Sequence, residues 1–198
     1  MKKISGIILA AGEAKRFGTP KQLLPWKTST ILGTVLDEFK KSNLSEIIVV
    51  LGAYNDLIID KLKDKLENCK IVINKTWKNG MFTSILKGLN KAIELESDYA
   101  LFHQGDMPFI EHKIINEFIN IANNNDKLII ATVNNKPAHP YMIYKSYFDE
   151  ILKMNGNEGM RPFIRKYFNI AYKVEVPYKV GKQDIDTWED YRRLKDGI

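Results

Sequence analysis

Cysteine is almost absent from this chain of 198 residues, Cys69 being the one example. A single thiol excludes an internal disulfide and fits a reducing, cytoplasmic setting. It precedes the apolar run Ile71–Ile73 and reads as a buried structural group, not a nucleophile. Long hydrophobic runs are missing too. No apolar stretch approaches the roughly 18 residues of a membrane-spanning helix. The apolar start Ile4–Leu9 is cut short by Gly12, Glu13, Lys15 and Arg16, too early for a signal peptide. Histidine is scarce: His103, His112 and His139 are too scattered for metal-ligand spacing, and no histidine–carboxylate pair marks a hydrolytic base. Nor is there an internal repeat or a linker rich in Pro, Gly or Ser. Residues 1–198 are therefore expected to form one domain. The net charge of +6 suits anionic ligands. Its lysines are spread along the polar sides of candidate helices without a dense basic run, which argues against nucleic acid as a partner.

What is present alternates. Short apolar runs at Ile4–Leu9, Glu46–Leu51, Lys70–Ile73, Tyr99–Phe102, Leu128–Val133, Tyr141–Ile143 and Ala171–Val176 predict strands. Between them, Ile31, Leu32, Val35, Leu36 and Phe39 recur at helical spacing, as do Ile85, Leu89, Ala92 and Ile93, and then Ile114, Ile115, Phe118, Ile119 and Ala122. Strands separated by such helices predict an α/β, Rossmann-like fold, a mostly parallel sheet with helices on both faces. Ligands of such sheets bind beyond the carboxyl ends of the strands. The segments Asn134–Pro140 and Asn155–Gly159 read as loops.

The first chemical motif, Leu9 to Pro25, starts where the first strand ends. Small residues at Ala10, Ala11 and Gly12 let the backbone pass close to a ligand and turn N–H groups toward phosphate oxygens. Arg16 and Lys21 add a forked guanidinium and a point-charge ammonium, the combination that a triphosphate needs. A surface turn with solvated bases is the alternative. Neither GxxxxGK[ST] nor GxGxxG is present. This run resembles the signature of the nucleotidyltransferases with a GT-A-like fold, and most of all their molybdenum-cofactor cytidylyltransferase and guanylyltransferase branch. The resemblance extends from Ile7 to Tyr191.

Further motifs agree with it. Gly105-Asp106-Met107-Pro108 follows a predicted strand, where a carboxylate in a tight turn can hold Mg²⁺ through oxygen or simply bond its own backbone. It is similar to the family's metal-binding aspartate. Asp184-Ile185-Asp186 would, if extended, put both carboxylates on one side and Ile185 in the core. Thr187 reads as a helix cap closed by Asp190. The resemblance implies that this acidic segment supplies the second metal ligand, Asp186 being favoured over Asp184; Trp188 stands where the family usually has proline. Asn79 to Leu89 resembles the family's segment beneath the base, with Gly80 for close approach and Ser84 as a polar contact; an ordinary capped helix is the alternative. Lys136 to Tyr141 and Asn155 to Arg161 resemble segments on the acceptor side. They depart from them at Ala138, Asn157 and Met160, where glycine, aspartate and alanine are usual.

The resemblance implies an enzyme that transfers a nucleotidyl group and releases pyrophosphate, with Mg²⁺ as its cofactor. The nucleotide-binding part would span about 1–110 and the acceptor side about 111–198. Lys21, Arg16 and Asp106 would be catalytic. Leu9, Ala10, Ala11, Gly12, Lys21, Gly80, Ser84 and Asp106 would bind the nucleotide, and Lys136, His139 and Arg161 the acceptor. Asp106 and Asp186 would hold the metal. Leu-Ala-Ala-Gly resembles the cytidylyl members, so CTP is favoured, with molybdopterin as acceptor and contact with a molybdoenzyme expected. The alternatives are a cytidylyltransferase for a small phosphorylated alcohol or sugar, and a nucleotide-binding chaperone for cofactor insertion.

Overall fold

The structure, a computed structural model, describes residues 1–156 and 159–196. Within them the strands are β1 Ile4–Ala10, β2 Pro25–Trp26, β3 Ser29–Thr30, β4 Glu46–Leu51, β5 Lys70–Ile73, β6 Tyr99–Gln104, β7 Ile129–Val133, β8 Lys136–Tyr144 and β9 Tyr172–Glu175. The helices are α1 Ile31–Lys41, α2 Asn55–Lys61, α3 Lys63–Leu66, α4 Met81–Glu94, α5 His112–Asn123, α6 Phe148–Leu152, α7 Arg161–Tyr167, α8 Tyr178–Gly181 and α9 Trp188–Asp196. Among the described residues, seven strands form one sheet in the order β5-β4-β1-β6-β8-β7-β9, and β2 pairs with β3 in a small hairpin. The pairings β5–β4, β4–β1, β1–β6 and β7–β9 are parallel; β8 runs against both β6 and β7.

Every residue of β1 is buried, as a central parallel strand covered on both faces requires. Its alternate side chains enter different cores. Ile4, Ile8 and Ala10 join Leu32, Leu36, Phe39 and Phe118 on the α1 and α5 side; Ile7 and Leu9 join Ile85, Leu89 and Phe163 on the α4 and α7 side. Helix α1 starts on Thr30, whose hydroxyl accepts from the Gly33 N–H at 3.0 Å.

Two expectations need correction. The segment Asn134–Pro140 is mostly strand: β8 begins at Lys136 after a turn in which Asn134 and Asn135 both take positive φ, 50° and 58°. Two left-handed residues give the twist that a tight hairpin needs, and asparagine tolerates that region better than most. Asp184–Asp186, which would turn both carboxylates to one side if extended, belongs to no strand. It is an irregular segment after α8, pinned because Ile185 is fully buried against Trp26, Ile31 and Tyr191.

Candidate active site

Strand β1 ends in a loop whose first carbonyl groups, those of Ala10, Ala11 and Gly12, are engaged within the chain. Gln22 donates its side-chain amide to the carbonyls of Ala10 at 3.2 Å and Gly12 at 2.9 Å. The Ala53 N–H donates to Ala11 O at 3.0 Å. Among the described residues the N–H groups of Gly12 and Glu13 have no partner in the chain. With those three acceptors tied down and two donors free, the loop offers N–H groups that can receive oxygen anions. It borders a cavity of about 450 Å³ that Arg16, Lys21, Trp77, Ser84, Asp106 and Asp186 also line. Gly52 keeps the loop close: a Cβ there would stand 2.7 Å from the Ala11 carbonyl oxygen and 2.9 Å from the Ala11 methyl.

The charges of the site meet at Lys21, which leaves a short turn at Lys21–Leu23. Its ammonium lies 2.6 Å from Asp106 Oδ2 and 3.1 Å from Asp186 Oδ1, and donates to the Ile185 carbonyl at 2.8 Å. Arg16 stands 3.6 Å from the other oxygen of Asp186. Asp106 follows β6, held from three sides. The Gly105 N–H donates to Leu9 O at 2.9 Å and the Ile185 N–H to Asp106 O at 3.2 Å, while His103 Nε2 donates to the Met107 carbonyl at 3.0 Å. Thr187 and Asp190 form the expected reciprocal cap, with the Asp190 N–H donating to Thr187 Oγ1 at 3.1 Å and the Thr187 N–H to Asp190 Oδ2 at 3.0 Å. Burial alone would push the Lys21 pKa down; the carboxylates of Asp106 and Asp186 outweigh it and hold the ammonium above its ordinary value. Burial, and then the charges of Asp186 and Asp106, raise the pKa of Asp184.

The donor set fits a hard divalent cation. Asp106 Oδ1 is buried without a hydrogen-bond partner, and Asp106 and Asp186 line the same cavity. Among the described residues no three His, Cys, Asp or Glu side chains cluster. A cation on these two carboxylates would therefore complete its shell with water and phosphate oxygens, as Mg²⁺ commonly does.

A second cavity of about 830 Å³ adjoins the first, sharing Met81 and Gln104. Arg161, Arg165 and Lys182 bring positive charge to it, while Met107, Met160, Ile164 and Phe168 give it an apolar wall. His139 lines it and bonds Gln104 Nε2 through its own Nε2 at 3.0 Å. Burial, then the charges of His103 and Lys182, depresses the His139 pKa to about 3, so the ring is neutral and accepts this bond. Asp184 lines this second cavity and Asp186 the first, so the two carboxylates serve different neighbours.

Leu9, Ala10, Ala11, Gly12, Arg16, Lys21, Ser84, Asp106 and Asp186 thus gather at the first cavity, and His139 and Arg161 at the second. Gly80 and Lys136 line neither. Gly80 caps α4 at φ 105°, with nothing within 4 Å of where a Cβ would stand. Its backbone conformation requires glycine there. Lys136 is exposed beside the hairpin turn. Asn157 lies outside the described residues. Sequence reasoning missed Gln22, Gln104, Arg165 and Lys182. Only Arg165 carried a signal, lying one helical turn beyond Arg161. It also missed the pairing of His112 Nδ1 with Glu38 Oε2 at 2.8 Å, where α5 meets α1; neither residue lines these cavities.

The pattern of the MobA-like NTP transferase domain matches residues 6–171. The chain belongs to that family. This MobA-like transferase is 28% identical over 196 residues to the molybdenum cofactor cytidylyltransferase of Escherichia coli strain K12, covering 99% of this chain and 97% of the relative. It is 24% identical over 200 residues to the nicotine blue oxidoreductase of Paenarthrobacter nicotinovorans, covering 96% of each. The crystal structure of Rv0371c from Mycobacterium tuberculosis H37Rv superposes on it with a TM-score of 0.85 at 25% identity, over 98% of both chains. The transferase is thus an enzyme of nucleotide transfer, with the mostly parallel sheet of its family.

Proposed function

We propose that this transferase joins the nucleoside monophosphate of an NTP, CTP in preference, to a phosphorylated acceptor such as molybdopterin, releasing pyrophosphate. One observation carries the reading. The small-residue loop, Arg16 and the Lys21 cluster line one cavity, an apolar and cationic wall lines the next, and the two share Gln104 and Met81. The free N–H groups of Gly12 and Glu13, with Arg16 and Lys21, would bind the triphosphate. Arg161, Arg165 and Lys182 would hold the acceptor's phosphate, and Met160 and Phe168 its apolar body.

An oxygen of the acceptor phosphate then bonds to the α-phosphorus as the bond from that phosphorus to the pyrophosphate oxygen breaks. The attacking phosphate is already ionised at neutral pH, so this chain need supply no general base. Neutral His139, bonded to Gln104, is in keeping with that. What the residues contribute is alignment across the shared wall and positive charge on the leaving pyrophosphate. A Mg²⁺ held by Asp106 and Asp186 would supply further neutralisation at the α-phosphate.

The test is pyrophosphate release from the wild type with each NTP in turn, Mg²⁺ and a panel of phosphorylated acceptors. CTP with molybdopterin is expected to react fastest; no release with any pairing overturns the reading.

A further inference from the structure

Lys21 already holds the two carboxylates that would take a divalent cation. An ammonium has three donors, and those of Lys21 meet Asp106 Oδ2, Asp186 Oδ1 and the Ile185 carbonyl. No donor is left for a phosphate oxygen, yet nucleotide transfer wants Lys21 on the triphosphate. The side chain is also only 12% exposed, so water does not substitute freely for those partners.

We propose that Lys21 is an exchangeable stand-in for the cation, holding Asp106 and Asp186 together while nucleotide is absent and moving to the triphosphate when cation and nucleotide arrive together. This rests on the nucleotidyl-transfer reading for the identity of the two ligands. Two carboxylates facing one another repel unless a cation lies between them, so the ammonium cannot leave without a replacement. Nor can a cation enter alone at little cost, because it would strand a mostly buried ammonium without acceptors. The triphosphate removes that obstacle by offering its own oxygens. Asp106 Oδ1, buried and unpartnered, is acceptor capacity that the ammonium leaves unused and a doubly charged ion could take up. Cation and nucleotide are therefore coupled through Lys21, each favouring the other.

The consequence runs against intuition: removing a binding residue should strengthen metal binding in the absence of nucleotide. The experiment is a Mn²⁺ titration without nucleotide, free Mn²⁺ being read by electron paramagnetic resonance. It compares wild type, Lys21→Met and the double variant Lys21→Met/Asp106→Asn, with the fold followed by circular dichroism. Lys21→Met is expected to bind Mn²⁺ at least about tenfold more tightly than wild type, within the usual range of coupling between sites. The double variant should return to wild-type weakness. If Lys21→Met is unfolded without metal, recovery of its native signal on adding Mn²⁺ is the expected result. Equal or weaker Mn²⁺ binding by Lys21→Met, or no recovery, overturns the exchange. Pyrophosphate release by the wild type judges the functional reading separately, since the metal titration uses neither nucleotide nor turnover.

Discussion

At the scale of single residues, Lys21 and Ala11 carry the most testable chemistry. Lys21 links Asp106, after β6, to Asp186, near the start of α9. Replacing it with alanine removes a charge that would meet the α- and β-phosphates as the bond breaks. We expect a loss of about 3–4 kcal/mol of transition-state stabilisation, on the order of 10²–10³ in rate. Pyrophosphate release at the wild-type rate from a folded Lys21→Ala protein would contradict this role. Ala11 acts by size. Its methyl lies beside Gly52 where Ala11 lines the first cavity, and on the proposed function a glycine there would leave room for a larger base. Ala11→Gly is therefore expected to narrow the preference for CTP over GTP, measured as the ratio of kcat/KM with one acceptor; an unchanged or widened ratio would assign base choice elsewhere. Arg16, Lys21 and Asp106 were legible because charged residues in a small-residue loop or a strand-end turn have few structural uses. Gln22 was not. Its buried amide serves the carbonyls of its own loop, and nothing local separates such a glutamine from a solvated one.

Among the elements, helix α7 sets Arg161 and Arg165 one turn apart, so both face the second cavity. A charge-assisted hydrogen bond is worth about 1.5–3 kcal/mol, so Arg165→Ala should raise the acceptor KM by about tenfold or more. The nucleotide KM should stay within twofold, about the margin that separate sites allow. Parallel loss of both affinities would show that α7 supports the fold rather than the acceptor. The central strands were readable in the sequence because a strand covered on both faces is a nearly unbroken apolar run, as in β1, β4 and β6. The start of β8 was not, since Lys136-Pro137-Ala138-His139-Pro140 has neither alternation nor β-branched residues; its pairing with β7 makes it a strand. The path from α8 to α9 escaped as well. Its position is set by one buried side chain, Ile185, and by a backbone bond to Asp106, contacts between residues far apart in the chain.

For the whole molecule, two histidines set the response to acid. Burial holds the His103 pKa down at about 4 and that of His139 at about 3. An unfolded histidine titrates near 6.5, so between these values the unfolded chain binds more protons and stability rises with pH. Stability should therefore be flat in this respect above pH 6.5 and fall below it. His103 alone should cost about 2 kcal/mol between pH 6.5 and 5. Glu38 adds to the decline at lower pH. Burial would raise its pKa, but hydrogen bonds from Lys41 and His112 hold it at about 2, so its contribution is lost as pH falls from 4.5 through that value. The check is Tm against pH for wild type and His103→Gln, which keeps a donor for the Met107 carbonyl but does not titrate; the variant's curve should be flatter between pH 6.5 and 5. One reversed strand shapes the molecule in another way. Because β8 runs against its neighbours, its beginning, and not its end, reaches the edge of the sheet where the cavities lie. Pro137 to His139 therefore hang from a two-residue turn, and the facing wall comes from α7 and the segment after α8. Those pieces can be lengthened, exchanged or recharged while β1, β4 and β6 stay as they are. An engineer could rebuild the wall of the second cavity here and leave that of the first untouched.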